Sequence, residues 1–187
     1  MSASSHAAYQ WVMLTIGRLY HVPSNDKPQG QIAMYTLMIV LLMFVFPIAS
    51  ILAEVFLFRS ASAIMPLIGK WFVFWPVGVR LFTAGLSQVL RPQFTTEKIL
   101  RIKDSNQFII VQELGFANLS MGILGISTTW NGNWTLPAAI VGCLFIGLAG
   151  IRHIFSKGKS FLETGAMLSN LIVFVILLVY VAWALFH

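Results

Sequence analysis

Apolar stretches long enough to cross a bilayer alternate along the chain with short polar ones. Five of them predict helices: Gln31 to Phe58, Ile64 to Leu90, Gln107 to Thr129, Leu136 to Phe155 and Glu163 to Phe186. About 20 predominantly apolar residues are enough to cross the hydrocarbon core as a helix. The stretch Met1 to His21 is too short in its apolar part to span. It has neither a basic leader nor a small-residue cleavage site, which argues against a cleaved signal peptide. Tyr9, Trp11, Leu14, Arg18 and Tyr20 predict an amphipathic helix lying in the interface. Val22 to Gly30, VPSNDKPQG, reads as a loop. The expected organisation is an interfacial segment over 1–30 and one transmembrane domain over 31–187.

The connections are short. Arg91 to Asn106 is polar and basic, with Phe94, Ile99, Leu100 and Ile102 as the greasy side of a short surface helix. Trp130 to Trp134, WNGNW, is an interfacial hairpin with tryptophans either side of an Asn-Gly turn. SKGKS, Ser156 to Ser160, is a basic turn. Within the spans, Pro47 predicts a kink in the first. Glu54 lies near that span's far end, close to Arg59, and an interfacial ion pair is expected there. Lys70, Trp71 and Trp75 mark the entry of the second span, with Pro76, Gly78 and Arg80 around its middle.

Composition sharpens the class. The chain is 58% hydrophobic and 10% charged, against about 25% charged in a soluble domain. The expected fold is therefore all-α, a polytopic membrane helical bundle of five spans plus the amphipathic amino-terminal helix. The net charge of +6 does not point to nucleic acid, because the basic residues sit between apolar runs. With five spans, the amino terminus and the second and fourth connections share one side. That side holds Arg18, Lys27, Arg91, Lys98, Arg101, Lys103, Arg152, Lys157 and Lys159; the other holds Arg59 and Lys70. The positive-inside rule puts the amino terminus in the cytoplasm and the carboxyl terminus outside. The single cysteine, Cys143, has no partner for an internal disulfide.

The third span, QFIIVQELGFANLSMGILGISTT, is the expected organising element, because it carries Glu113 inside the membrane, where a charge must be paired or used. Helical rise places Glu113 ~7 Å and Arg80 ~5 Å to the cytoplasmic side of their spans' centres, level enough to pair. His153 lies ~12 Å and Asn170 ~9 Å to that side, and Gln112 and Gln88 fall in the same half. One reading is a structural ion pair with amides as glue. Another is a cytoplasm-facing cavity for a polar headgroup, a quinone or a small solute, built from Arg80, Gln112, Glu113, Asn118, His153 and Asn170. A proton relay through Glu113 and His153 is a third.

The third span also carries a stripe of small residues, Gly115, Asn118, Gly122, Gly125 and Thr129, spaced by threes and fours. Ala139, Cys143, Gly147 and Gly150 make a similar ladder on the fourth. Small stripes let helices approach closely. The tight turn joining these two spans leads to the expectation that they pack as an antiparallel pair. Metal-ligand, nucleotide-binding and nucleophile motifs are absent from the sequence, so no metal site and no catalytic residue is expected.

NQFIIVQELGFANLSMGILGI, Asn106 to Ile126, resembles the central motif of an uncharacterised family of small bacterial multi-spanning membrane proteins. That motif reads E-x-G-x-A-N-L-x-x-G-x-x-G, matched by Glu113, Gly115, Ala117, Asn118, Leu119, Gly122 and Gly125. FIGLAGIRHI, Phe145 to Ile154, resembles the family's F-x-x-G-x-x-x-x-H-I, with His153 as the histidine and Gly147 or Gly150 as the counterpart of its glycine. The resemblance covers roughly Trp71 to Ala184 and leaves out the amino-terminal third. Glu163 and Asn170 stand only loosely where the family carries acidic residues and asparagine. The family is distantly similar to DoxX-like membrane proteins, some linked to quinone-coupled redox chemistry, and a quinone is the one cofactor this implies.

The sequence thus predicts an integral membrane protein, most simply a non-enzymatic accessory or a component that binds a small ligand or lipid. A quinone-linked redox subunit and a small oligomeric transporter are the alternatives. Its partners are the lipid bilayer and a membrane-protein partner or further copies of itself.

Overall fold

The structure, a computed structural model, describes residue 34 and residues 36–56, 64–92, 108–155 and 161–186. The expected amino-terminal amphipathic helix, the 22–30 loop, the basic surface helix beyond Pro92 and the SKGKS turn lie outside the described residues. By chain contacts the protein divides into Met1–Met34 and Tyr35–His187, and all five spans belong to the second unit. Every regular element among the described residues is helical, and five helices are long and apolar enough to cross a membrane. They are α1 (Thr36–Phe56) and α2 (Ile64–Leu90), α3 (Phe108–Ser127), α4 (Thr135–Ile154) and α5 (Phe161–Phe186). One end of the bundle holds Lys70 and the α3–α4 turn, and is called the Lys70 end. The other, where α2 finishes and α3 begins, is the Leu90 end.

Two helices change winding beside a proline. In α1 the turn Leu41–Val45 is π-helical, and the Phe46 N–H donates to Leu41 O just before Pro47. In α2 the widened stretch Val73–Val79 contains Pro76, and the Arg80 N–H donates to Trp75 O. Proline lacks an N–H and its ring crowds the carbonyl four residues back. Five-residue hydrogen bonding gives that carbonyl room without breaking the helix. The expected kink at Pro47 thus takes the form of a π turn. The two widened turns meet: the Phe46 and Trp75 rings lie 4.8 Å apart, and Trp75 Nε1 donates to Ser50 Oγ at 2.9 Å.

Helix α2, not α3, is the element around which the chain is organised, because it touches all four other spans. Its second half lies along α3 with the backbones in contact. A Cβ at Gly85 would meet Gly115 O at 2.6 Å and Leu119 N at 2.7 Å. One at Gly122 would meet Phe82 Cα at 2.6 Å, and one at Gly125 would meet Gly78 Cα at 2.6 Å. Elsewhere on α2, Gly69 lies under the Tyr180 ring of α5, and Val77 fills the space beside Gly142 of α4.

The small-residue stripes are therefore packing faces, but not for each other. The glycines of α3 receive α2. The ladder of α4 receives α5: the Phe174 ring covers Gly147, Leu171 lies 3.1 Å from where a Gly150 Cβ would stand, and Cys143 Sγ faces Phe174 O at 3.8 Å. Helices α3 and α4 touch each other far less than they touch these partners. A short connection makes two helices neighbours along the chain, yet the closest fit goes to the surface that matches the recessed glycines. The stripe's end also shifts. The helix stops at Ser127, so Thr128 is buried and hydrogen-bonded to Gly125 O, while Thr129 is exposed.

The core is a band of Met43, Phe72, Val73, Val77, Ala138, Ala139, Ile146, Val173 and Leu177, with Tyr180 at one edge. Outside it, large apolar side chains such as Leu37, Phe116, Leu148 and Val175 are exposed all round, as a lipid solvent allows. The α3–α4 turn is pinned by Asn131, whose side chain accepts from the Asn133 N–H at 3.1 Å, with Trp130 and Trp134 exposed on either side.

Overpacking a tight site costs about 1–3 kcal/mol. Gly85→Ala and Gly122→Ala should each lose about that much in a reversible denaturant titration in micelles. Gly165→Ala, where a Cβ meets nothing within 4 Å, should be neutral or gain up to about 1 kcal/mol of helix propensity. Equal effects at all three would show that the α2–α3 backbone contact does not matter for stability.

Candidate functional site

Polar side chains that tie one span to another collect in two places. At the Lys70 end, Glu54 of α1 accepts two bonds from Lys70 Nζ, at 2.9 and 3.0 Å, and one from Trp71 Nε1 at 2.8 Å. Lys70 Nζ also lies 4.8 Å from the Trp71 ring centroid. The ion pair expected near Glu54 exists, with Lys70 of the next span as its partner; Arg59 lies outside the described residues. The two indoles of α2, read from sequence as interface markers, spend their N–H groups on α1. A half-buried indole wants an acceptor, and Glu54 and Ser50 supply them.

The second collection lies toward the Leu90 end and contains most of the residues singled out from sequence. Arg80 stands at the end of the widened turn, and its Nη2 donates to Asn170 Oδ1 of α5 at 3.1 Å. Asn170 is 5% exposed and sits beside Gly150 of α4, whose missing side chain leaves it room. One turn-pair further along α2, Gln88 Oε1 accepts from Asn118 Nδ2 of α3 at 2.7 Å. Gln112 Nε2 donates to Val89 O at 3.3 Å, engaging a carbonyl in the last turn of α2, where the helix has no N–H of its own to offer. So α2 is tied to α5 by guanidinium and amide, and to α3 by two amides.

The structure does not bring the expected Arg80–Glu113 pair together. Arg80 turns toward α5, whereas Glu113 is exposed on α3, about 140° round the helix from Asn118 by the helical period. Level depth was correct as arithmetic but carried no azimuth. His153 is half-buried on α4 and joins none of these hydrogen bonds. Gln88, the direct partner of Asn118, was placed in the right half by sequence but not among the candidate site residues. Its only signal was an uncharged amide inside an apolar span.

Asn118 is the most constrained member. It is 4% exposed, and its Oδ1 is buried with no hydrogen-bond partner among the described residues. A buried carbonyl left without a donor in an apolar setting costs free energy, so an amide held this way marks a place where a donor from outside the described side chains would be welcome. No group of three or more His, Cys, Asp or Glu that could hold a metal occurs among the described residues. The arrangement can bind and orient polar groups. It offers no nucleophile beside a base.

A double-mutant cycle separates the observed pair from the expected one. Arg80→Gln combined with Asn170→Leu should show a coupling energy of about 1–2 kcal/mol, near the upper range for hydrogen bonds between membrane helices. Arg80→Gln combined with Glu113→Gln should show less than about 0.5 kcal/mol, as for groups that share no contact. Strong coupling in the second cycle would contradict the geometry.

Comparison with curated proteins finds no match, and comparison with solved structures finds none. A family profile does match, over residues 33–186, and so takes in α1 as well as the part in which the motif resemblance lies. The chain belongs to this family, described as a family of unknown function (DUF6790).

Proposed function

We propose that the protein is a non-enzymatic component of a bacterial inner membrane that holds a small polar ligand or lipid headgroup in the α2–α3 seam. The observation that carries this reading is Asn118 Oδ1, an unsatisfied acceptor buried beside Gln88. A molecule offering an O–H or N–H would satisfy it, while Arg80, held at Asn170 nearby along α2, attracts negative charge to the same half. The ligand this favours is amphipathic, with a polar head that both donates and carries or tolerates anionic character. A quinone fits less well, since its carbonyls accept but do not donate.

The charge asymmetry assigns the Leu90 end to the cytoplasm, with the amino terminus inside and the carboxyl terminus outside. A fluorescent-protein fusion at Met1 should then be bright. An alkaline phosphatase fused after His187 should be active. The reverse pattern would invert the orientation.

The ligand reading is tested by native mass spectrometry of protein extracted gently from its own membrane. Wild type should carry a stoichiometric small-molecule or lipid adduct. Asn118→Leu, which keeps the branched shape and removes the amide, should lose it while remaining folded by size exclusion. Bare wild-type protein, or an adduct indifferent to Asn118→Leu, would leave the seam as structural hydrogen bonding only.

A further inference from the structure

Helix α3 has a second face, opposite its glycine stripe, on which small and polar residues are exposed among large apolar ones. Glu113, Ala117 and Ser120 are exposed along it at spacings of four and three, and the line ends at Leu124, which packs against the core. A lipid-facing stripe is normally large and apolar, whereas small and polar residues in line are what helix–helix contacts use. Glu113 is the independent observation. Five residues into α3, it lies ~8 Å from the helix end, within the apolar zone. Exposed Ile109, Ile110 and Phe116 surround it, and no ion pair or hydrogen bond ties it to another described residue. A carboxylate at such a depth is found against a partner rather than against acyl chains.

Helix α4 offers the complementary surface. Its outward face carries large residues, Val141, Leu144 and Leu148, followed by exposed Arg152. Counted from the Leu90 end, Ala117 is nine residues along α3 and Leu144 ten residues along α4, so the small and large positions are level. Arg152 lies ~5 Å nearer that end than Glu113, within reach of a guanidinium on its long stem.

We propose that these outward faces form a contact between two copies of this chain, α3 of each against α4 of the other, with Glu113 of one copy paired to Arg152 of the second. A two-fold axis along the membrane normal makes both contacts at once and keeps both copies in the same orientation, so the assembly closes as a dimer. Large side chains of α4 fill the line left by Ala117 and Ser120, and the ion pair sets the register.

The test uses the full-length protein in lipid nanodiscs and in liposomes, read by native mass spectrometry and single-molecule photobleaching. Wild type should be dimeric. Glu113→Arg or Arg152→Glu alone should raise the monomer fraction about tenfold or more, as expected for stranding one member of a desolvated charge pair. The double swap, Glu113→Arg with Arg152→Glu, should restore the dimer. Should a charge reversal prevent folding, disulfide trapping takes its place. In a Cys143→Ala background, differently tagged Ala117→Cys and Leu144→Cys copies should cross-link to each other on mild oxidation, and Ala117→Cys with Val175→Cys should not. Monomeric wild type, a double swap that fails to rescue folded single variants, equal cross-linking at Val175, or a different protein occupying Glu113 in place of a second copy would each overturn the proposal.

Discussion

Direct backbone contact between α2 and α3 is the constraint on which the rest of the bundle depends. Lipid tails are as apolar as leucine, so helices in a membrane gain nothing from simply hiding apolar surface. They gain from close contact. Gly78, Gly85, Gly115, Gly122 and Gly125 remove the side chains that would hold the two backbones apart. Once α3 is seated, the other faces of α2 are left for α1, α4 and α5, and each is met by a different device. Aromatic and charged groups hold α1, Val77 against Gly142 holds α4, and a ring over Gly69 together with the Arg80 guanidinium holds α5.

The polar side chains follow the same plan. Arg80, Gln88, Lys70, Trp71 and Trp75 all belong to α2, and each bonds a side chain on another helix. Each of these five bonds has α2 at one end. They form separate ties radiating from one helix. Asn118 differs because its second polar atom, Oδ1, is buried with no hydrogen-bond partner among the described residues, and that is why the functional reading centres on it.

Much of this was legible in the sequence, and the part that was not has a single physical cause. Span number, span limits and the capped Asn-Gly turn follow from hydropathy and local turn chemistry, which act along the chain. Depth follows from helical rise, so Arg80, Gln88, Gln112 and Asn170 gather into one half on the strength of residue spacing alone, with Asn118 at the centre of its span. Azimuth does not follow. The rotation of α2 relative to its neighbours is set by which glycines meet which backbone, and it is altered midway by the widened turn at Pro76. The expected Arg80–Glu113 pair failed for that reason, and so did the expected α3–α4 packing. Lys70 and Trp71 reach Glu54 from the next helix, a contact that nearness along the chain does not announce.

The widened stretch Val73–Val79 has a consequence for how this chain can change length. An α-helix advances by 100° per residue, so the extra residue of a five-residue turn resets the facing of everything beyond it. Upstream, Gly69 looks toward α5; downstream, Gly85 looks toward α3. A deletion of one residue in this stretch would be tolerated locally, since it would restore ordinary winding. Yet it would swing Gly85 away from Gly115 and carry Arg80 away from Asn170 in the same movement. Loops can absorb insertions and deletions; the middle of α2 acts as a counted spacer, and relatives that keep this packing must keep its length.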